Sequence, residues 1–148
     1  MSFRRSFFSA FLLIILAFIL AGCNGQSDVF ALASESMLPD FLVDAPHKVR
    51  ESYLFAVANP HELEKYPCYC GCGAMGHTSN LDCYISEIDE AGTISFDNHA
   101  EGCGICVDIT QDVMRLMREG RSSPEIRAYV DAQYSAFGPS TDTPLPTE

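Results

Sequence analysis

The segment PCYCGCG, residues Pro67 to Gly73, carries three cysteines on alternate positions. A fourth cysteine and a CxxC pair follow, which gives six cysteines and two histidines within 39 residues, from Cys68 to Cys106. Thiolate and imidazole are the groups with which proteins hold soft metal ions, so this density predicts a metal site. The candidate ligands are Cys68, Cys70, Cys72, Cys83, Cys103, Cys106, His77 and His99.

The CxxC pair opens a segment with helical periodicity. Apolar residues recur on one helix face between Cys103 and Glu119, and Gly120 follows where a helix would stop. In the first turn of a helix, unpaired amide groups and the helix dipole stabilise thiolates. If residues 68–72 are locally extended, their three thiols project to one side. We therefore expect a sulfur-lined pocket between this loop and the start of the helix.

Other helix signals flank these two segments. Pro46 marks the start of one helix, Asn59-Pro60 ends it, and Ser123-Pro124 opens a last helix. Residues 79–88 fit either a short helix or a strand. The predicted fold is mainly α: a small helical domain with a Cys-rich loop packed against the start of a long helix.

The N-terminus has the organisation of an export signal. Arg4 and Arg5 precede an apolar stretch from Phe7 to Ala21, which is shorter than the roughly 20 residues of a membrane-spanning helix. The residues before Cys23, Leu-Ala-Gly, resemble the lipobox of bacterial lipoproteins, in which that cysteine is lipidated. An uncleaved anchor is the alternative, and the arginine pair faintly resembles a twin-arginine signal. Either way the domain is expected outside the cytoplasmic membrane.

These signals divide the chain into four parts. Residues 1–22 are the expected lipoprotein signal peptide, and 23–44 a lipid-anchored tether that begins with Cys23. Residues 45–138 form the Cys-rich metal-binding helical domain. Residues 139–148 contain three prolines and no periodic apolar pattern, which predicts a disordered tail.

The charge of the chain excludes some partners. The formal net charge is −11, and loss of residues 1–22 would remove two arginines and no acid, leaving 7 basic against 20 acidic side chains, or −13. Such a charge disfavours nucleic acid and anionic lipid headgroups. We expect attachment to the membrane through the N-terminal lipid alone, and no nucleic-acid partner.

Several strings together resemble one family. The motif at residues 67–73, the segment Gly76–Tyr84, the segment Phe96–His99 and the helix start Cys103–Asp108 look like those of the bacterial PCYCGC-motif lipoproteins. The resemblance runs from about Leu38 to Phe137 and implies the same cysteine set and a lipidated N-terminus. That family is described by its motif and implies no activity.

Three interpretations of the cluster stay open: a metal-binding module, a framework of disulfides, and a thiol redox protein using Cys103 and Cys106. Cysteines at i and i+2 do not readily bond to each other, which favours metal. Val107 follows the CxxC where a c-type haem site would need histidine.

A single zinc ion takes about four ligands and would leave two or more thiols without a role. Multinuclear Cu(I) is therefore the first expectation, with Zn(II) as runner-up. No catalytic motif stands out, so we expect a non-enzymatic protein for copper sequestration, storage or delivery to a copper-accepting exported protein.

Overall fold

The structure is a computed structural model that describes residues 29–147. The expected signal peptide and the expected lipidation site at Cys23 lie outside these residues. Within the described range, no helix has the length and apolar character needed to cross a membrane.

Helices dominate the described part of the chain. A two-stranded antiparallel sheet lies, in sequence, between the second and third α-helices. This confirms the mainly α prediction. Four short 3-10 helices occur at Glu35–Met37, Asp40–Leu42, Cys72–Met75 and Leu81–Cys83. The α-helices and strands are α1 (His47–Ala58), α2 (Pro60–Leu63), β1 (Ile85–Ile88), β2 (Ile94–Phe96), α3 (His99–Gly102), α4 (Gly104–Arg118) and α5 (Ser123–Tyr134).

Local signals set the helix ends. Pro46 precedes α1 as its N-cap, and Pro60 begins α2 directly after Asn59. Gly120 adopts a φ of 75° just beyond α4, a left-handed conformation that glycine reaches without strain. At the start of α5, the Glu125 carboxylate accepts a hydrogen bond from the backbone N–H of Ser122, as in a capping box.

Residues 79–88, which the sequence left undecided, combine two conformations. They run from the 3-10 turn Leu81–Cys83 into β1, which pairs with β2 around a turn at Gly92. The pairing has an irregularity between Ile85 and Glu87. This hairpin carries the chain from Cys83 back to the histidine and cysteines that precede and open α4.

The core lies between α1, α4, α5 and the Cys-rich loop. Tyr53 of α1 and Tyr84 after the 3-10 turn are fully buried, and their rings meet edge to face at 4.9 Å. Cys68, Cys72, Cys83 and Cys106 belong to the same buried cluster of residues. The loop is therefore part of the core, packed against the start of α4 as predicted.

The segment before α1 packs on the domain as well. The N–H of Ala33 donates to the carbonyl of Leu54, the ring of Phe30 meets Phe55 edge to face at 4.9 Å, and Leu42 is fully buried. Val43 remains 70% exposed. The described part of the expected tether, residues 29–44, is thus attached to the helices by specific contacts.

The C-terminal tail differs from the disorder that its composition predicts. Thr141 and Thr143 are buried, and Arg127 of α5 donates to the backbone carbonyls of Thr143 and Pro144. This segment has no periodic apolar face. It is held instead by hydrogen bonds to the backbone and to the side chains of residues far away in sequence. Such contacts leave no local pattern from which they could be predicted.

Candidate metal centre

Sulfur atoms from the loop, the 3-10 turn and α4 meet in one cluster. Cys106 lies in its middle: its Sγ atom is 3.3 Å from Sγ of Cys68, 3.3 Å from that of Cys83 and 3.6 Å from that of Cys70. The Sγ atom of Cys72 lies 3.7 Å from that of Cys83. All six described cysteines are free thiols. The fold therefore brings together side chains that are up to 38 positions apart.

The donor atoms fall into two groups, in each of which all atoms lie within 4.8 Å of one another. We call the first the outer group, because three of its four residues are half-buried and only Cys106 is fully buried; the second, with three buried thiols, is the inner group. The outer group consists of Cys70, His99, Cys103 and Cys106, and the inner group of Cys68, Cys72 and Cys83.

The loop reaches both groups because it turns at Gly71, whose φ is 88°. Before the turn, the thiols of Cys68 and Cys70 lie on one side, 3.4 Å apart, as expected for an extended segment. After it, Cys72 opens a 3-10 turn and its thiol faces Cys83 instead. From their alternate spacing, the thiols of Cys68, Cys70 and Cys72 were expected on one side of the chain. The left-handed conformation of Gly71 turns the thiol of Cys72 away from the other two.

The two predicted histidines lie at the edge of the cluster. The Nε2 atom of His99 is 3.3 Å from Sγ of Cys70, and the Nδ1 atom of His77 is 3.5 Å from Sγ of Cys83. Their rings meet edge to face with centroids 5.4 Å apart. Asp97 accepts a hydrogen bond from the backbone N–H of His99, and its other carboxylate oxygen lies 3.8 Å from Nε2 of His77. The Asp97 carboxylate thus holds the backbone of His99 and lies beside the ring of His77.

The backbone at Cys106 is fixed by a buried polar network that the sequence did not reveal. Its carbonyl oxygen accepts hydrogen bonds from the Tyr84 hydroxyl at 2.9 Å, from the Thr110 hydroxyl at 3.2 Å and from the Asn80 amide at 3.4 Å. Of these three contacts, only the one from Thr110 could be expected from the sequence. Thr110 is four residues after Cys106, and a threonine at that position in a helix can donate its hydroxyl to the carbonyl one turn earlier. The network holds the central thiol in place.

The tail fixes the start of the loop. Cys68 donates its backbone N–H to the Thr141 hydroxyl at 2.9 Å, and its carbonyl accepts from the N–H of Thr141 at 3.0 Å. The hydroxyl of Thr143 donates to the carbonyl of Thr78 beyond the loop. The tail also passes so close that a Cβ atom on Gly138 would lie 2.9 Å from the Tyr69 carbonyl oxygen. We call residues 138–144 the strap.

Crowding makes the thiols titrate unequally. The hydrogen bond with Cys106 lowers the pKa of Cys68, and the same contact raises the pKa of Cys106 well above its ordinary value. The contact with Cys106 also raises the pKa of Cys83, whereas the hydrogen bond with Cys83 lowers the pKa of Cys72 to about 7. Burial raises the pKa of Cys70, and the charge of Cys68 adds to this. A bound cation would let the remaining thiols ionise.

These distances suit bridging thiolates. Soft metals bind thiolates at short range, and a sulfur in contact with three others can serve more than one ion. The Cys/His groups of the structure could therefore hold metal, as the density of ligands in the sequence predicted.

The family model described as "Protein of unknown function with PCYCGC motif" matches residues 12–146 of the chain. No curated protein and no solved structure matches it.

Proposed function

The chain belongs to this family with the PCYCGC motif, as its motif predicted, and we propose that it binds several soft metal ions in one thiolate cluster, Cu(I) in the first place. Its task is to sequester, store or deliver copper. The proposal is one of binding and not of catalysis.

A single observation carries the proposal: the thiol of Cys106 contacts those of Cys68, Cys70 and Cys83 at once. Four unpaired, largely buried thiols with such contacts are unfavourable to ionise together in the absence of a cation. Bridging thiolates need this crowding, because each sulfur then contributes to two metal ions.

Copper fits the donor set best. Six thiols and two imidazoles belong to the soft ligands that select Cu(I), and sulfur bridges it readily. The half-buried side of the cluster leaves room for ions to be exchanged, which suits storage or delivery.

Zinc is the second candidate, and one observation favours it. The outer group offers three thiols and one imidazole, and the inner group offers three thiols with His77 beside Cys83. Each set would supply the four ligands of a closed tetrahedral site. A binuclear zinc site would make the cluster a structural staple for a small core.

The geometry offers the disulfide and redox interpretations less support. Cys106 faces three sulfurs at nearly equal distance, so no unique pairing stands out. A catalytic dithiol would need Cys106 to pair with Cys103 alone, whereas its thiol is in contact with the thiols of three other cysteines.

We further propose that the chain acts on the outer face of a bacterial membrane, anchored by a lipid on Cys23, and passes copper to an exported acceptor protein. The support is the apolar N-terminal sequence with its lipobox-like end. The acidic charge of the chain supports cations and not nucleic acid as its cargo.

The test is anaerobic purification of the full chain in mild detergent, followed by elemental analysis and thiol titration of one sample. We expect more than one Cu(I) per chain after loading, and displacement of zinc by copper in a competition titration. Two zinc ions that copper does not displace would favour the structural zinc site. Three disulfides with no bound metal in freshly isolated protein would overturn the proposal.

A further inference from the structure

The two donor groups differ in their access to solvent. The thiols of the inner group are all buried, and Cys68 and Cys83 are fully so. In the outer group, Cys70, His99 and Cys103 are half-buried, and only Cys106, whose thiol also contacts those of Cys68 and Cys83, is buried. Metal held in the outer group would therefore be within reach of an incoming ligand, whereas metal in the inner group would not.

Cys103 has a further property, since it lies between two glycines. Gly102 ends α3 and Gly104 begins α4, with Cys103 as the connecting residue. Neither glycine has a positive φ, and no heavy atom outside the adjoining backbone lies within 4 Å of the place where a Cβ atom on either would stand. Neither the backbone conformation nor a lack of space therefore requires glycine at position 102 or 104. What two glycines still provide is freedom of the backbone to move.

We propose that Cys103 is the exchangeable ligand of the cluster, through which metal passes between the outer group and a thiol-bearing acceptor. The inner group retains its metal. This inference rests on the proposed metal-binding function. It places metal transfer at the side of the cluster formed by Cys70, His99 and Cys103.

The transfer step is a ligand exchange without redox change. The incoming thiol loses its proton and forms a bond to the metal ion, and the bond between the ion and Cys103 breaks. The released Cys103 thiolate takes up a proton, so charge and protons balance. Rotation of the backbone about Gly102 and Gly104 lets Cys103 move away while Cys106, held through its carbonyl by Tyr84 and Thr110, stays in place.

The experiment follows Cu(I) release from the loaded full chain in mild detergent to excess glutathione as the thiol acceptor, under anaerobic conditions. Release from the unchanged protein should be biphasic, with a fast fraction from the outer group and a slow fraction from the inner group. A Cys103→Ser variant should bind less copper and lose the fast fraction.

The decisive variant is the pair Gly102→Ala and Gly104→Ala. It should keep the full copper content and the slow fraction, while the fast fraction slows roughly fivefold or more because the backbone beside Cys103 is restricted. Gly73→Ala is the matched control: it lies beside Cys72 of the inner group, its φ is not positive, and the nearest atoms to its Cβ would be at 3.9 Å. This control should leave both phases unchanged.

Release in a single phase, or equal slowing by Gly73→Ala and by the Gly102/Gly104 pair, would overturn the inference while leaving the proposed function intact. A chain that binds no soft metal at all would overturn the proposed function, and this inference with it.

Discussion

At the scale of single residues, Cys106 differs from the other five cysteines that the structure describes. Its thiol contacts three sulfurs, its side chain is fully buried, and its carbonyl accepts three hydrogen bonds from Asn80, Tyr84 and Thr110. The other cysteine of the CxxC, Cys103, is half-buried. Two residues that the motif treats as a pair therefore have different environments.

Cys106→Ser is expected to reduce the Cu(I) content by roughly half or more, because a bridging sulfur serves more than one ion. Cys103→Ser removes a ligand from the edge of the cluster and should reduce the Cu(I) content by less. Metal analysis of the two anaerobically loaded variants side by side makes the comparison. Equal metal content in the two would contradict a central position for Cys106.

Metal affinity should depend on pH. Contacts within the cluster raise the pKa of Cys83 and Cys106, so these thiols hold their protons at neutral pH and must release them when metal binds. Affinity should therefore rise with pH and fall as the solution is acidified, by roughly tenfold per pH unit for each proton released. A competition titration with a chromophoric Cu(I) chelator at several pH values measures this slope. A slope of zero across neutral pH would show that the thiols are already ionised.

At the scale of elements, the strap stands out because it holds the start of the Cys-rich loop and the chain beyond its end. It pairs with Cys68 through Thr141 and reaches Thr78 through Thr143. Arg127 ties it to α5 in turn. The loop has little regular structure of its own, so its shape depends on these contacts.

The double variant Thr141→Val and Thr143→Val should lower the free energy of unfolding by about 2–4 kcal/mol, since it leaves the buried N–H of Cys68 and the carbonyl of Thr78 without partners. Chemical denaturation of the metal-free protein measures the change. Thr147→Val, at an exposed threonine of the same tail, is the matched control and should have little effect. Equal effects of the two would show that the strap does not support the loop.

At the scale of the whole molecule, the cluster joins three parts of the chain that are separate in sequence. Its ligands come from the loop, from the 3-10 turn before β1 and from the region where α3 meets α4. The domain is small and its core includes four of the six thiols. Metal binding and folding should therefore be strongly coupled.

Metal removal is expected to lower the melting temperature sharply, by analogy with structural zinc sites that contribute about 10 kcal/mol or more. The chain contains no tryptophan, so thermal unfolding is best followed by far-UV circular dichroism. The Cys106→Ser variant serves as control, because added metal should stabilise it much less. An unchanged melting curve after verified metal removal would contradict this coupling.

The sequence by itself determined the mainly α fold, the helix ends at Pro60, Gly120 and Ser123, and the set of cysteines and histidines that meet. Helix ends follow from residues within a few positions of each other, and a dense cluster of soft ligands is visible without a fold. It also identified the family, through the PCYCGC motif together with the segments around His77, His99 and Cys103.

Only the tertiary structure decided how those ligands are arranged. Cys106 is central, the donor atoms form an outer and an inner group, and Cys68 is hydrogen-bonded to Thr141, 73 positions away. All three features depend on contacts between distant parts of the chain. A local pattern cannot encode such contacts, because which side chains meet is set by the packing of whole elements and not by their spacing. For the same reason the strap, whose composition suggests disorder, is ordered here by the surface on which it lies.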